Sequence, residues 1–275
     1  MKNSILKKLD NLTSFRFATR GAAQQLKMFF LMVLVVTAIG FGNVNAQTWA
    51  TPVLAEPLTD QGGDLGKYST QCIVNGNPAI ALYDATNGDL KFIRATDADG
   101  TAWGTPVTVD ATGNVGQYTS LQVVNRYPAI AYYDVTNQDL KFVIASDADG
   151  TTWGTPLSLD VTGDVGQYTS MQVVSGNPAI AYYDVTNGDL KYIRATDAGG
   201  TTWAAPVSVD ATGNVGQYAS MQVVNGNPAI AYYDFGNAKL KYTRATDAIG
   251  TAWGSSTFST TKAVDSCPTS YGKFA

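Results

Sequence analysis

The chain has 275 residues, 45% of them hydrophobic and 15% charged, with no histidine and a net charge of −4 at pH 7. That apolar content is enough for a packed core and excludes a disordered chain. The missing histidine excludes His-based triads, histidine zinc sites and imidazole proton shuttles.

In chain order, Lys2, Lys7, Lys8, Arg16, Arg20 and Lys27 precede an apolar run from Met28 to Gly42, followed by Val44-Asn45-Ala46. This pattern predicts a signal peptide over residues 1–46, cleaved before Gln47. The run is shorter than the roughly 18 to 20 residues of a spanning helix, so no stable membrane span is expected after cleavage. The expected location is secreted or cell surface. Six of the 18 basic residues and one of the 22 acidic residues precede Gln47, which leaves 12 against 21 and a net charge of −9. So acidic a mature chain argues against nucleic acid and anionic membrane as partners, since both need clustered Lys and Arg. Cys72 and Cys267 are the two cysteines. In an exported chain they could form a bridge or remain two free thiols.

From residue 47 onward one unit is repeated. Residues 51–100, 101–150, 151–200 and 201–250 align at a 50-residue period, with a partial fifth copy at 251–275. The period is carried by Trp103, Trp153, Trp203 and Trp253, by Tyr118, Tyr168 and Tyr218, and by Asp84, Asp134, Asp184 and Asp234. In the third copy, residues 168–175, 178–184, 190–197 and 201–210 are four strand-like runs rich in Val, Ile, Tyr and Thr.

Turn signals separate these runs. Asn225-Gly226 suits a tight primed turn, whereas Asn125-Arg126 puts arginine where positive φ is needed, so a differently shaped loop is expected there. Four antiparallel strands, short hairpins and a longer Gly-rich link at a 50-residue period predict an all-β chain. The predicted fold class is a β-propeller of four-stranded antiparallel blades, a fragment of a ring with five or more; a solenoid is the alternative. One tryptophan per outer strand is expected to wedge between sheets.

The stretch Ser146-Asp147-Ala148-Asp149-Gly150-Thr151-Thr152-Trp153 resembles the Asp-box hairpin of sialidase-like propellers, with Ala148 at the family's Asp position. Residues 47–275 also resemble tandem repeats of ~50 residues in exported bacterial proteins. The resemblance implies a propeller and no particular activity.

The chemistry depends on what the repeat contains. Glu56 is the sole glutamate, and three of the four arginines after residue 46, Arg94, Arg194 and Arg244, are one repeat position. A sialidase-type site would need a Tyr/Glu pair and an arginine cluster. Near-identical copies also argue against catalysis, which needs unlike groups at one point. No catalytic residue and no cofactor is expected. Asp97, Asp99, Asp147 and Asp149 are weak calcium candidates, but Gly199 and Ile249 replace the second acid later, so self-bonded turns are preferred.

In a propeller the second turn and the link to the next blade open on one face. There the repeat places Asp84, Asn87 and Asp89, then Asp134, Asn137 and Asp139, then Asp184, Asn187 and Asp189. The links add Asp110 and Asn114, Asp160 and Asp164, and Asp210 and Asn214. Carboxylates and amides beside aromatic rings suit a shallow sugar site. The fourth copy, with Phe235, Gly236, Ala238 and Lys239, is expected to differ. The leading expectation is a non-catalytic, lectin-like binding or adhesion module for an extracellular glycan or cell-surface ligand. The alternatives are a structural display region of a larger exported protein and a degenerate sialidase-like glycoside hydrolase.

Overall fold

The computed structural model describes residues 51–53, 55, 64–254 and 262–263. All described strands lie in the unit Val53–Ala275; of the unit Met1–Pro52 only Thr51 and Pro52 are described. The signal-peptide segment and Cys267 lie outside the described residues.

Each four-stranded antiparallel sheet takes three strands from one 50-residue copy and its outer strand from the start of the next. The first contains β1 (Leu65–Val74), β2 (Asn77–Asp84), β3 (Asp89–Arg94) and β4 (Val107–Asp110). The second contains β5 (Val115–Val124), β6 (Tyr127–Asp134), β7 (Asp139–Ile144) and β8 (Leu157–Asp160). The third contains β9 (Val165–Val174), β10 (Asn177–Asp184), β11 (Asp189–Arg194) and β12 (Val207–Asp210). The fourth contains β13 (Val215–Val224), β14 (Asn227–Asp234), β15 (Lys239–Arg244) and β16 (Lys262–Ala263). The inner strands β1, β5, β9 and β13 succeed one another blade to blade, which is propeller architecture.

The observed strands differ from the sequence pattern at both edges of the blade. The inner strand starts earlier than expected, because Val165-Gly166-Gln167 pairs with the end of β10 across a bulge. In the first three blades the outer strand is only four residues long. Pro156 and Pro206 lack a ladder donor, so pairing begins only after each proline, at Leu157 and at Val207. Trp103, Trp153, Trp203 and Trp253 instead each form an isolated bridge ahead of the outer strand, as in Ala145↔Trp153.

Three cores fill the spaces between successive blades among the described residues. Leu90 and Phe92 of the first blade meet Val115, Leu121, Ile130 and Tyr132 of the second, all nearly free of solvent. Because both faces of a sheet are covered this way, the central strand reads as an unbroken apolar run. Burying each large side chain contributes about 2 kcal/mol. The tryptophans complete these cores, with Trp153 edge-on to Phe92 at 5.1 Å, Trp203 to Phe142 at 5.0 Å and Trp253 to Tyr192 at 5.2 Å.

Close approach of backbone makes glycine necessary on the inner strand. A Cβ at Gly166 would lie 2.7 Å from Leu140 Cα, and φ is +104°. The equivalent Gly116 and Gly216 are equally confined. The first turn departs from expectation: Asn125 and Arg126 adopt φ of 46° and 78°, the same left-handed pair as Asn75 and Gly76 at 44° and 84°. Pairing of Val124 with Tyr127 imposes the turn, so arginine accepts a strained backbone rather than reshaping the loop.

Candidate active site at the channel mouth

Along each inner strand a bulge puts a tyrosine in the left-handed region, just after the opening Val-Gly-Gln or its equivalent. Tyr68, Tyr118, Tyr168 and Tyr218 have φ of 53°, 52°, 53° and 54°. For a bulky residue this is an uncommon conformation, and its recurrence in four blades shows a built feature. The bulge turns the tyrosine carbonyl out of its own ladder and toward the next blade, where the Thr119 hydroxyl donates to Tyr68 O and the Thr169 hydroxyl to Tyr118 O. Returning bonds run from Leu121 N to Thr70 Oγ1 at 3.1 Å and from Met171 N to Ser120 Oγ at 2.9 Å. Hydroxyl bonds thus join inner strands that share no β-ladder.

The four rings line the channel side by side, with successive centroids 4.6, 4.6 and 4.5 Å apart and tilts of 51°, 52° and 50°. They border a cavity of about 210 Å³ together with Ser69, Thr70, Thr119, Thr169 and Ala219. Burial pushes the Tyr118 phenol up to about 12. Burial, reinforced by the neighbouring Tyr218 and Tyr118 hydroxyls, raises that of Tyr168 well above the ordinary range. These phenols stay protonated donors at neutral pH.

Behind the rings stand Tyr83, Tyr133 and Tyr183. Each donates to the link leading into the next blade: Tyr83 to Asn114 Oδ1 at 2.8 Å, Tyr133 to Asp164 Oδ1 at 2.7 Å, and Tyr183 to Asn214 Oδ1 at 2.7 Å. The equivalent position in the first blade is Asp64, ion-paired with Lys67. The rim therefore alternates Asp64, Asn114, Asp164 and Asn214. Near-identical copies thus carry unlike groups at one equivalent place.

Of the other loop-face residues, Asp84, Asp134 and Asp184 bond within their own turns. Asp84 accepts from Thr86 N, Asn87 N and Asn87 Nδ2 at 3.0, 3.2 and 2.8 Å. Asp134 is bonded likewise by Asn137, and Asp184 by Asn187. These three aspartates are buried. Asp89, Asp139 and Asp189 begin the third strands half-buried, and burial raises the pKa of each. The fourth blade keeps the same turn, with Asn237 on Asp234, and exposes Phe235 beside it.

Between blades lies a second charged cluster that the sequence does not announce. Lys141 Nζ is 2.7 Å from Asp110 and 3.6 Å from Asp134, and the Tyr132 hydroxyl donates to Asp110 at 2.6 Å. Lys191 and Lys241 repeat it with Asp160 and Asp184, and with Asp210 and Asp234. Burial raises the Asp110 carboxyl, but the ammonium and the phenol outweigh it and hold the group below the usual range.

The calcium candidates stand in the third turn. Asp147 accepts from Asp149 N and from the amides and hydroxyls of Thr151 and Thr152, and its pKa falls well below the usual range although burial opposes this. Asp97 makes the same turn with Asp99 and Thr101. Asp149 faces Asn75 and Arg94. Among the described residues no three His, Cys, Asp or Glu groups converge. Cys72 is half-buried against the first inter-blade core, and burial pushes its thiol up to about 11. Also among the described residues, no helix is long and apolar enough to cross a membrane.

This sheet arrangement and channel define a β-propeller. Among solved structures, the chain is similar to the catalytic domain of Coprinopsis cinerea GH62 α-L-arabinofuranosidase, with a TM-score of 0.53 and 15% identity over 74% of this chain and 72% of that one. It is also similar to the exo-β-1,3-galactanase of Phanerochaete chrysosporium, seen with β-1,3-galactotriose, with a TM-score of 0.50 and 12% identity. That match covers 72% of this chain and spans half the galactanase's length. No protein-family model matches the chain, and no curated protein matches it. The expectations of a non-catalytic module and of no enzymatic activity are corrected here, because these structural neighbours are glycoside hydrolases. At such identity the likeness establishes the fold alone. The near-identical copies still differ at the rim position, where acid and amide alternate from blade to blade.

Proposed function

We propose that the chain is a carbohydrate-active propeller of the degenerate glycoside-hydrolase kind, seating a glycan at the tyrosine-lined channel mouth. The observation carrying this reading is the row of four tyrosine rings bordering the cavity, with Asp64 and Asp164 alternating with Asn114 and Asn214 just ahead of the inner strands. Aromatic faces stack on apolar sugar faces, and the amides and carboxylates bond hydroxyls. Hydrolysis of a glycosidic bond uses two carboxyl groups, one protonating the leaving oxygen and one supporting attack at the anomeric carbon. With Glu56 as the sole glutamate, at least one of these roles falls to an aspartate. Asp164, oriented by the Tyr133 hydroxyl, and Asp64 are the rim candidates.

In the same reading Asp84, Asp134 and Asp184 brace turns, and the Ser146–Trp153 hairpin is a variant Asp-box in which Asp147 does the acid's work. The N-terminal signal pattern makes the protein an exported one, meeting its glycan outside the cell. The test is hydrolysis of a chromogenic aryl-glycoside panel by the full chain. Asp164→Asn is expected to lower kcat/KM at least ~100-fold with folding intact. A folded wild type that cleaves none of the panel, or an unimpaired Asp164→Asn, sinks the reading.

A further inference from the structure

The second turn of the fourth blade departs from its three counterparts, and the departure opens a notch. In the first three blades a threonine fills that place. Thr86, Thr136 and Thr186 each accept from the amide of the link residue, Asp64 N at 2.8 Å, Asn114 N at 2.7 Å and Asp164 N at 2.7 Å. The threonine side chain also closes over the neighbouring glycine, since a Cβ on Gly113 or Gly163 would lie 2.7 or 2.6 Å from its hydroxyl. In the fourth blade Gly236 stands there instead. A Cβ on Gly213 meets nothing within 4 Å, and Asn214 N–H has no acceptor among the described residues. The backbone is otherwise kept, because Phe235 N and Gly236 N donate to Asn214 O at 2.9 and 3.2 Å, as Val135 N and Thr136 N do to Asn114 O. The Asn214 side chain is oriented by the Tyr183 hydroxyl on its Oδ1.

An aromatic ring stands in the same turn. Phe235 is 58% exposed, where the other copies carry Ala85, Val135 and Val185. Its ring centroid is 6.3 Å from that of Tyr233, which is 6.2 Å from that of Tyr218 in the channel row. Aromatic contact therefore runs from the channel out to the loop face. An exposed ring beside an amide freed by the loss of one side chain suits a pyranose, whose apolar face stacks on the ring while a hydroxyl accepts from the N–H.

Resting on the glycan reading of the channel mouth, we propose that this turn is a further sugar subsite, with a pyranose stacked on Phe235 and a hydroxyl accepting from Asn214 N. Only the fourth blade has both the ring and the opened amide, so a glycan seated on the tyrosine row extends in one direction, over that blade. The experiment is titration calorimetry on the full chain with the β-1,4-linked trisaccharides of glucose and of galactose. Phe235→Val and Gly236→Thr each install the residue of the second and third copies, so both variants are expected to melt in urea as the wild type does. Phe235→Val should weaken the tighter trisaccharide about tenfold and Gly236→Thr about fivefold. In saturation-transfer NMR, Phe235→Val should lose the protein contact of one terminal sugar residue and keep the others. Folded variants that bind as tightly as the wild type, or that lose contact with all three sugar residues alike, overturn the subsite and leave the channel reading standing. Folded wild type that binds neither trisaccharide overturns both.

Discussion

Lys141 of the second blade reaches across to Asp110 of the first, Nζ to Oδ2 2.7 Å, at a place where both side chains are buried. One cation thereby joins two sheets and two carboxylates, since Asp134 of its own blade lies 3.6 Å away. The apolar cores supply most of the inter-blade adhesion, and the ion cluster fixes register, because a slipped blade would leave buried charge unpaired.

Removing the cation should therefore be costly. Lys141→Met is expected to destabilise the fold by about 3 kcal/mol, because Asp110 and Asp134 stay buried without it. Urea unfolding of the variant beside Asp110→Asn/Lys141→Met checks this: the double variant should recover part of the loss. Equal stability of Lys141→Met and wild type would refute the role.

The same cluster sets an acid limit. Asp110, Asp160 and Asp210 have folded-state values below the unfolded carboxyl value of about 3.9. Their contribution is complete above that value and disappears as pH falls through the depressed folded values. Asp89, Asp139 and Asp189 are shifted upward and act in the opposite sense, gaining stability on protonation. The midpoint of thermal unfolding should thus vary little on descending to about pH 5 and fall steeply below about 4. Asp160→Asn should flatten the fall, which a Tm series from about pH 6 to about pH 2 measures.

Glycine substitutions should separate crowding from backbone preference. Gly166→Ala meets Leu140 backbone at 2.7 Å, whereas a Cβ at Gly176, with φ of +84°, meets nothing within 4 Å. The first is expected to cost about 3 kcal/mol and the second about 1 kcal/mol. Chemical denaturation of both variants tests the ratio.

Arginine at the second-copy turn supplies the converse. Arg126 stands at φ of 78°, and its counterparts in the other copies are glycines. Arg126→Gly is expected to raise stability by about 0.5–1 kcal/mol by removing that strain. A lower denaturation midpoint would show that the arginine side chain matters more than its backbone.

Tyr168→Asn probes the channel with little risk to the fold, since asparagine tolerates the φ of 53°. It removes one ring of the row, and should weaken glycan binding at least ~10-fold while shifting stability by about 1 kcal/mol. Calorimetry and urea melts on one preparation read both.

Much of the blade is written locally. The 50-residue period, the Asn-Gly and Asn-Gly-Asp turns and the apolar Pro-Ala-Ile-Ala-Tyr-Tyr-Asp strand identify four antiparallel strands per unit. Turn φ preferences and side-chain alternation act between near neighbours, so a sequence pattern carries them. Asp84, Asn87 and Asp89 were legible as a loop face for the same reason. Their turn-bracing role was legible too, since Asp and Asn at strand ends are turn and capping residues first.

The tyrosine row shows where sequence stops. Tyr118 in Gly-Gln-Tyr-Thr-Ser reads as an ordinary core aromatic, since tyrosine has no preference for positive φ. It takes that φ at the bulge between Gln117 and Ser120 in its pairing with β6, and the Thr169 hydroxyl of the next blade then bonds its carbonyl. Likewise Lys141 and Asp110 are 31 residues apart and become partners only when two sheets are stacked. By itself the sequence determined the repeat, its strands and its turns, all governed by forces within one blade. Tertiary structure decided the channel and the charged latch, because both are made of contacts between blades.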